Sequence, residues 1–483
     1  MPELYQELIN LSNSAMYPFH MPGHKRNLES TPMKGAFRCD ITEIDNFDNL
    51  HDENGIILEA EERANRIYGA DKTFFLVNGS TSGVLSAVSA AVPEGGRILA
   101  ARGSHRSFYH AIYLRHISVK YLPYKINAVY QMPEPYTKED IANALDDSID
   151  AVFITSPTYD GRCSDVRGIA EVCHERGIPL IVDAAHGAHF GFEGSNKTRE
   201  GYVYTKLPES AVKQGADIVI HSVHKTLPSM TQTALLHIKG NLIDVSRVKR
   251  FLRIYQTSSP SYVLMSSIDL CMKEMEENGK AFVDRLLEFR NRIQIETRQC
   301  RNLRVLSEDT IDDVAKVAIY VKNATMTGQR LYDILREEYN LQLEMAGEKY
   351  ALAIISGWDK EEGITRLIEA IIDIDKKDEW WASAISADCK EKDDTKVTIY
   401  DLPEAMMSVN AAMDAEKSLV PIKEATNHIA GEFINLYPPG IPVVVPGEII
   451  SEKIIEEISG YLSKGMNVQG ITEGKEFICV KQK

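Results

Sequence analysis

The alternation of short apolar runs with helical stretches between residues 74 and 238 constrains the fold more than any other feature of this chain. Most of the runs are separated by stretches with helical periodicity, such as 82–92 and 166–176. Strands that alternate with helices form a mostly parallel sheet that is covered on both faces. The sequence therefore predicts a large α/β domain with seven strands, at 74–78, 97–101, 119–124, 151–156, 179–183, 217–222 and 234–238.

The chain on either side of this region predicts smaller parts. An early segment rich in Pro, Gly, Asn and Asp contains one helical pattern, at 56–68, and two amphipathic helices are expected at 265–278 and 280–300. Residues 374–396 are dense in Asp and Lys around two tryptophans, which predicts either a linker or a helix with a tryptophan anchor. We therefore expect four domains: an N-terminal arm at 1–70, a large domain at 71–310, a small α+β domain at 311–395 and a C-terminal domain at 396–483.

Composition argues against several classes of function. The net charge of −16, from 54 basic and 70 acidic residues, argues against nucleic acid or an anionic membrane as the main partner. No segment approaches the roughly 18–20 uninterrupted apolar residues of a membrane span, and the N-terminal residues lack the pattern of a signal peptide. The seven cysteines include no C-x-x-C pair, which is typical of free thiols in a reducing compartment. The sequence therefore predicts a cytoplasmic protein.

A turn of small residues follows the first predicted strand. Asn78 and Gly79 lead into Ser80, Thr81 and Ser82, where a helical pattern begins. Small residues let backbone N–H groups approach an anion, and the helix directs its positive end toward it. A phosphate cradle is one interpretation of this turn. A plain N-cap turn is the other, because Ser and Thr are favoured helix caps.

Asp183 ends another apolar strand, within IPLIVDAAHGAHFG. An acid delivered into a turn of small residues suits the protonation of a ring nitrogen, the binding of a metal or the capping of a helix. His186 and His189 are three residues apart and could ligate a metal, but no second acidic cluster accompanies them. We therefore predict no metal site.

Lys225 follows the strand ADIVIHS, close to Ser222 and His224. Lysine attacks carbonyl groups only when its amine is neutral, a state that burial and nearby positive charge favour. His105 lies just past another strand and could stack on an aromatic cofactor. Taken singly, Lys225 could be an ordinary surface lysine, and His105 could be a polar histidine whose hydrogen bonds are satisfied. In this order at strand ends, however, the phosphate cradle, His105, Asp183 and Lys225 match the requirements of pyridoxal phosphate (PLP).

Longer motifs around these residues resemble the ornithine/lysine/arginine decarboxylases, a family with the PLP fold type I, in the short form that lacks an N-terminal wing domain. The likeness covers nearly the whole chain, and HSVHKT with an upstream DAAHGAH is its most specific part. The motifs that carry it are PFHMPGHKRN (18–27), ITEIDNFDNLHDENG (41–55), FFLVNGSTSG (74–83), RGSHRS (102–107), SPTYDG (156–161), VDAAHGAHFGF (182–192), HSVHKTLPSMTQTALLH (221–237), QTSSPSYVLMSSID (256–269) and YPPGIPVVVPGE (437–448).

The resemblance implies a role for each candidate residue. Lys225 would hold the cofactor aldehyde, Asp183 would pair with the pyridine nitrogen, and His105 would stack on the ring. Ala185 would pack on the opposite ring face. His224 would bind the phosphate and could also help to protonate the carbanion that remains after carbon dioxide leaves. The other implied cofactor contacts are His186 and Thr158 near the ring hydroxyl and Ser80, Thr81, Ser82 and Ser222 at the phosphate.

The resemblance also implies the reaction, which is decarboxylation of a basic amino acid to its amine for polyamine synthesis, with arginine favoured over lysine and ornithine. A homodimer or larger homo-oligomer with shared active sites is implied, with the basic run PGHKR (22–26) on an arm that crosses the dimer. Asp48 and Glu448 are candidates for binding the distal cation of the substrate. Asn46 and Asn49 depart from the more acidic or glycine-containing pattern expected there, which leaves the substrate preference open.

Two alternative functions stay open at this point. An aminotransferase or β-lyase could use the same fold, although a transaminase usually binds the α-carboxylate with a dedicated arginine, and the context of Arg253 does not resemble that motif. The second alternative is a non-catalytic regulatory subunit that keeps the PLP fold. The presence of Lys225, Asp183 and His105 together argues against it, because a retired site has no reason to keep all three.

Overall fold

The computed structural model describes the chain in nine stretches, which form two compact units. The first unit comprises 1–91, 165–288 and 356–358, and the second comprises 92–164, 289–355 and 359–483. The division into four domains stays a prediction. The described residues are 3–29, 31–195, 201–322, 326–377, 380–381, 397–437, 441–463, 467–473 and 475–481.

Seven strands form the principal sheet: β1 (Lys72–Leu76), β2 (Arg97–Ala100), β3 (Ser118–Tyr121), β5 (Ala151–Thr155), β6 (Leu180–Asp183), β7 (Ile218–Ser222) and β8 (Ala234–Ile238). Their order is β1-β8-β7-β6-β5-β2-β3. Strand β2 is parallel to β3 and β5, and β6 is parallel to β7, whereas β8 is antiparallel to both β1 and β7. Every residue of β6, β7 and β8 is buried, which explains why these strands are almost continuously apolar in sequence.

One predicted strand is wrong in its extent. The apolar run at 119–124 is divided between β3 and a separate strand, β4 (Tyr124–Asn127), with Pro123 between them. Proline has no N–H to donate to a strand ladder, so it separates the two segments. Strand β4 pairs instead with β13 (Val397–Tyr400) in a small sheet of its own.

The second unit contains several smaller sheets. Their strands are β9 (Leu303–Val305), β10 (Lys316–Val321), β11 (Met345–Ala346), β12 (Tyr350–Ile354), β14 (Lys417–Pro421), β15 (Ile434–Tyr437), β16 (Ile441–Val444), β17 (Asn467–Gln469) and β18 (Glu476–Val480). One sheet has four strands in the order β11-β12-β10-β9, one has three in the order β16-β15-β17, and β14 pairs with β18.

The helices within the described residues agree with most of the predicted patterns. None of them is long and apolar enough to cross a membrane. They are α1 (Leu4–Asn13), α2 (Lys34–Cys39), α3 (Ile56–Tyr68), α4 (Gly79–Ala91), α5 (Arg106–Arg115), α6 (Lys138–Ala144), α7 (Val166–His174), α8 (Val223–Thr226), α9 (Val245–Tyr255), α10 (Tyr262–Thr297), α11 (Gly328–Glu337), α12 (Glu361–Lys376), α13 (Val409–Asp414) and α14 (Glu452–Ser463).

The prediction of two helices at 265–278 and 280–300 was wrong, because α10 is continuous across Gly279. Glycine in a helix interior costs about 1 kcal/mol relative to alanine, yet here it permits close packing. A Cβ atom on Gly279 would lie 3.1 Å from the ring of Phe192. The contact with Phe192 therefore explains why a small residue occupies the middle of this helix.

The predicted linker at 374–396 is only partly described, since 378–379 and 382–396 lie outside the described residues. Helix α12 covers its beginning. Trp381 is buried, and its indole N–H donates to the carbonyl oxygen of Ile374 at 3.0 Å. This contact ties Trp381 to the end of α12, in the manner of the tryptophan anchor that was one of the two interpretations.

Strand β1 lies at one edge of the principal sheet, and buried side chains satisfy its outer backbone groups. The carboxylate of Glu61, on α3, accepts the N–H of Phe75 at 2.9 Å. The side chain of Gln256 accepts the N–H of Val77 at 2.8 Å and donates to the carbonyl of Phe75 at 3.3 Å. A buried backbone group without a partner is costly, so these two side chains let an edge strand lie inside the protein.

Glu61 is almost completely buried, and this burial raises its pKa to about 8 from an ordinary value of 4.5. Between these two values the folded state holds a proton that the unfolded chain has lost. The free energy of unfolding contributed by this group therefore falls as pH rises from 4.5 through 8. We predict that Glu61→Gln, which keeps the acceptor for Phe75, removes a pH dependence on the order of a few kcal/mol.

Denaturant titrations of the wild type and of Glu61→Gln between pH 5 and 8.5 measure this difference. Glu62→Gln is the matched control, because Glu62 is the neighbouring residue on α3 and is exposed. Equal pH slopes for the wild type and Glu61→Gln would contradict the assignment of a proton to Glu61.

Candidate active site

Asp183 and Lys225 belong to the ends of neighbouring parallel strands. Asp183 is the last residue of β6 and pairs in register with Ile220 of β7, and Lys225 follows β7 by three residues. The Asp183 carboxylate is 4% exposed and accepts the N–H of Ala185 at 3.1 Å. Burial raises the pKa of Asp183, while the charge of Lys225 and the bond from Ala185 act in the opposite direction. Asp183 is therefore a buried acid that depends on nearby positive charge to stay ionised.

Lys225 lies on the one-turn helix α8, which begins directly after β7. Its Nζ atom is 3.1 Å from Nε2 of His186, a buried ring. When Nε2 carries no proton, it accepts a hydrogen bond from the amine. The turn after β6 and the turn after β7 thus bring Asp183, His186 and Lys225 into one group.

His224 faces a backbone carbonyl. Its Nδ1 atom lies 2.9 Å from the carbonyl oxygen of Thr233, so Nδ1 carries the proton and donates it. Burial and the charge of Lys225 lower the pKa of His224, although the bond to Thr233 raises it. In the neutral ring, Nε2 is the acceptor.

The predicted phosphate cradle lies at the start of α4. The hydroxyl of Ser222 donates to that of Ser80 at 2.9 Å, and Ser82 donates to the carbonyl of Gly79 at 2.8 Å. Gly79 has a φ of +73°, and a Cβ atom on Gly83 would lie 2.6 Å from a side chain of β1. These glycines give the turn its shape and hold α4 against the sheet. The first N–H groups of α4 have no partner within the helix, and their dipoles favour an anion there.

Two glutamines that sequence reasoning missed hold the strand that leads into this turn. Gln256 binds the backbone on either side of Leu76, as described above, and the side chain of Gln232 donates to the carbonyl of Val77. Because both glutamines are far from residues 75–77 along the chain, no local sequence pattern indicated these contacts. Gln256 does begin the QTSSPS motif, which is the one pattern that could have drawn attention to it.

These residues of the first unit fit PLP. The ring nitrogen of PLP is cationic when protonated, and this cation would stabilise the ionised form of the buried Asp183 carboxylate. The phosphate is an anion that suits the N-terminus of α4 and the hydroxyls of Ser80 and Ser222. Lys225 supplies the amine that the aldehyde requires. Thr81 is exposed at the same helix start, and its role at the phosphate stays a prediction.

Two further predicted contacts lie in the second unit. His105 caps α5, because its Nδ1 accepts the N–H of Ser107 at 3.2 Å, and the residue is exposed. Thr158 lies in the loop after β5, where its hydroxyl accepts the N–H of Arg162 at 3.0 Å. Stacking by His105 and a ring contact from Thr158 stay predictions.

The two candidates for the distal cation of the substrate have structural roles. The carboxylate of Asp48 accepts the N–H groups of Gly55 and Ile57 at 2.8 and 3.0 Å, which caps α3. Both oxygens of Glu448 receive bonds from Arg102, at 2.6 and 2.7 Å, and Glu448 is 3% exposed. Because these carboxylates already serve other groups, a substrate role for either one is a prediction that the geometry does not favour.

Comparison with known proteins identifies relatives of this chain. The profile of the Orn/Lys/Arg decarboxylase major domain matches residues 2–400, and that of the C-terminal domain matches 394–469. The arginine decarboxylase of Bacillus subtilis (strain 168) is 31% identical over 97% of this chain and 95% of its own length, and that of Bacillus anthracis is 30% identical over 97% and 94%. Lysine decarboxylase A from Pseudomonas aeruginosa has the same fold, with a TM-score of 0.79, 20% identity and coverage of 100% of this chain and 80% of that one.

The chain therefore belongs to the Orn/Lys/Arg decarboxylase family. The predicted family, the PLP fold type I and the predicted enzyme class, an amino-acid decarboxylase, are confirmed. Membership also implies dependence on PLP.

The bidentate pair of Arg102 and Glu448 supports a further prediction within the second unit. Arg102→Met leaves Glu448 buried without its counter-charge, which we expect to lower the free energy of unfolding by about 3–5 kcal/mol. The double variant Arg102→Met/Glu448→Leu removes both charges, and we expect it to recover most of that loss. Denaturant titration of the wild type and of both variants measures these differences. A double variant no more stable than Arg102→Met would contradict a direct interaction between the two charges.

Proposed function

We propose that this chain decarboxylates arginine to its amine, with PLP held by Lys225. The observation that carries the proposal is the placement of a buried carboxylate, Asp183, and an amine, Lys225, at the ends of adjacent parallel strands. The choice of arginine is supported by the two full-length relatives that are named arginine decarboxylases. Lysine and ornithine are the alternative substrates within the family.

Asp183 has an electrostatic task in this proposal. When bound, PLP supplies an electron sink for the pair that the departing carboxylate leaves behind. Asp183 keeps the ring nitrogen protonated, and its burial strengthens that interaction because charges attract more strongly where water is excluded. The hydroxyls of Ser80 and Ser222 and the start of α4 would hold the phosphate and fix the position of the cofactor.

Two histidines near Lys225 differ in what they can do with a proton. In neutral His224, the single ring proton is bound to Thr233, so this residue has none to give. His186 lies within hydrogen-bond distance of Nζ of Lys225 and can exchange a proton with it. We therefore assign the proton that reaches the α-carbon to the Lys225–His186 pair rather than to His224.

The homodimer with shared sites, the cytoplasmic location and the role in polyamine synthesis rest on the sequence and its resemblance. They stay predictions. The basic run 22–26, which was expected to cross the dimer, lies within the first unit.

Lys225→Ala is expected to abolish carbon dioxide release, because the variant removes the amine that holds the cofactor. The assay is release of labelled carbon dioxide from arginine, with Lys213→Ala, a change at an exposed lysine, as the control. Turnover by Lys225→Ala at the rate of the wild type would refute the assignment.

Parallel assays with arginine, lysine and ornithine are expected to give the highest kcat/KM for arginine. The products also separate the reaction types, because a decarboxylase yields one amine for each carbon dioxide. Formation of a keto acid would instead indicate an aminotransferase, and an inactive protein that binds PLP would indicate a regulatory subunit.

A further inference from the structure

The second unit contains a cavity of about 510 Å³ that is partly open to solvent. Residues from β4, β12, β13 and α14 contribute to its wall, which places the C-terminal segment beside the small strands. Among the residues that line it, none is Lys225, Asp183, His105 or Thr158. The cavity is therefore lined by a different set of side chains from those assigned to the cofactor.

The charges that line this cavity are mainly negative. Five acids face two basic side chains, Arg102 and Lys453. Arg102 is already neutralised by its bidentate bonds to Glu448. The five acids are Asp160, Glu348, Asp401, Glu404 and Glu457. Asp160 already accepts a hydrogen bond from the hydroxyl of Tyr350, and burial raises its pKa. The other four acids still outnumber Lys453, and their field favours a cation.

Tyrosine rings supply the second feature that suits a cation. The rings of Tyr124 and Tyr400 have centroids 6.1 Å apart, and Tyr350 and Tyr461 also line the cavity. The Nζ atom of Lys453 lies 5.8 Å from the centroid of the Tyr400 ring. A lysine ammonium already uses the face of this ring, and the face of an aromatic ring attracts cations generally.

Glu457, on α14, is the acid that interacts with several of these tyrosines. The hydroxyl of Tyr461 donates to its Oε1 atom at 2.6 Å. Burial raises the pKa of Tyr124, Tyr400 and Tyr461, and the charge of Glu457 adds to the shift in all three. Glu457 therefore lies close to these three rings, where its charge would also attract a cation bound among them.

We propose that this cavity binds an aliphatic diamine or amino-guanidine that lacks a carboxylate. The apolar part of the wall, which includes Ile126, Met345 and Leu436, suits a methylene chain, and the acids and rings suit its cationic ends. A parent amino acid would bring a carboxylate into a cavity that is already rich in them, and repulsion disfavours it. The site is additional to the proposed catalytic one. If the proposed function holds, its ligands are of the same chemical class as the product.

The test is equilibrium dialysis of labelled putrescine, a simple diamine, against the holoenzyme. Glu457→Gln, which keeps an acceptor for Tyr461, is expected to weaken binding at least tenfold. Tyr400→Leu, which removes one ring face, is expected to weaken it as well. The matched control is Glu456→Gln, the exposed neighbour on α14, which is expected to bind like the wild type. In Lys225→Ala, which is expected not to convert ornithine into putrescine, ornithine is expected to compete at least tenfold more weakly than unlabelled putrescine.

Several results would overturn the proposal. One is wild-type affinity in both Glu457→Gln and Tyr400→Leu. Another is loss of putrescine binding in Lys225→Ala, since that would place putrescine in the catalytic site. Carbon dioxide release without added amine tests the proposed function separately, so failure of one proposal is distinguishable from failure of the other.

Discussion

The interaction on which the site depends is the electrostatic coupling of a buried acid with nearby positive charge. Asp183 is inside the protein, where burial favours its protonated form, and the charge of Lys225 opposes that tendency. The protonated ring of PLP would oppose it further. A buried carboxylate is poorly solvated, so it destabilises the protein without cofactor. The same carboxylate attracts a cationic partner strongly, so it stabilises the bound cofactor.

The fold supplies this arrangement through the direction of its strands. Because β6 and β7 are parallel, their ends meet at one edge of the sheet, and the turns that follow them carry Asp183 and Lys225. Strand β1 is at the edge of the sheet, and backbone groups on its outer side would have no hydrogen-bond partner in the sheet. Burying such groups without a partner would destabilise the protein. Glu61 and Gln256 satisfy these groups with side-chain hydrogen bonds. The strand can then lead into the turn at Gly79, where α4 begins and the phosphate would bind.

Sequence patterns predicted the parts of the molecule that local physics determines. Buried strands such as β7 and β8 are continuously apolar, so their positions were evident. The motifs at Asp183 and Lys225 also lie within short segments. Partners that are far apart along the chain left no such signal. Arg102 and Glu448 are separated by 346 positions, and only the structure shows that Glu448 is occupied by an arginine. The function of Asp48 as a cap depends likewise on how the chain folds back to the start of α3.

The proposed reaction depends on one covalent attachment, that of the cofactor to Lys225, so the most direct measurement locates this attachment. Treatment of the PLP-loaded protein with borohydride, followed by digestion and mass spectrometry of the peptides, shows which side chain carries the cofactor. We predict that the label is on Lys225, in the peptide that contains HSVHKT. A label on a different lysine, or a loaded protein with no labelled lysine, would contradict this prediction.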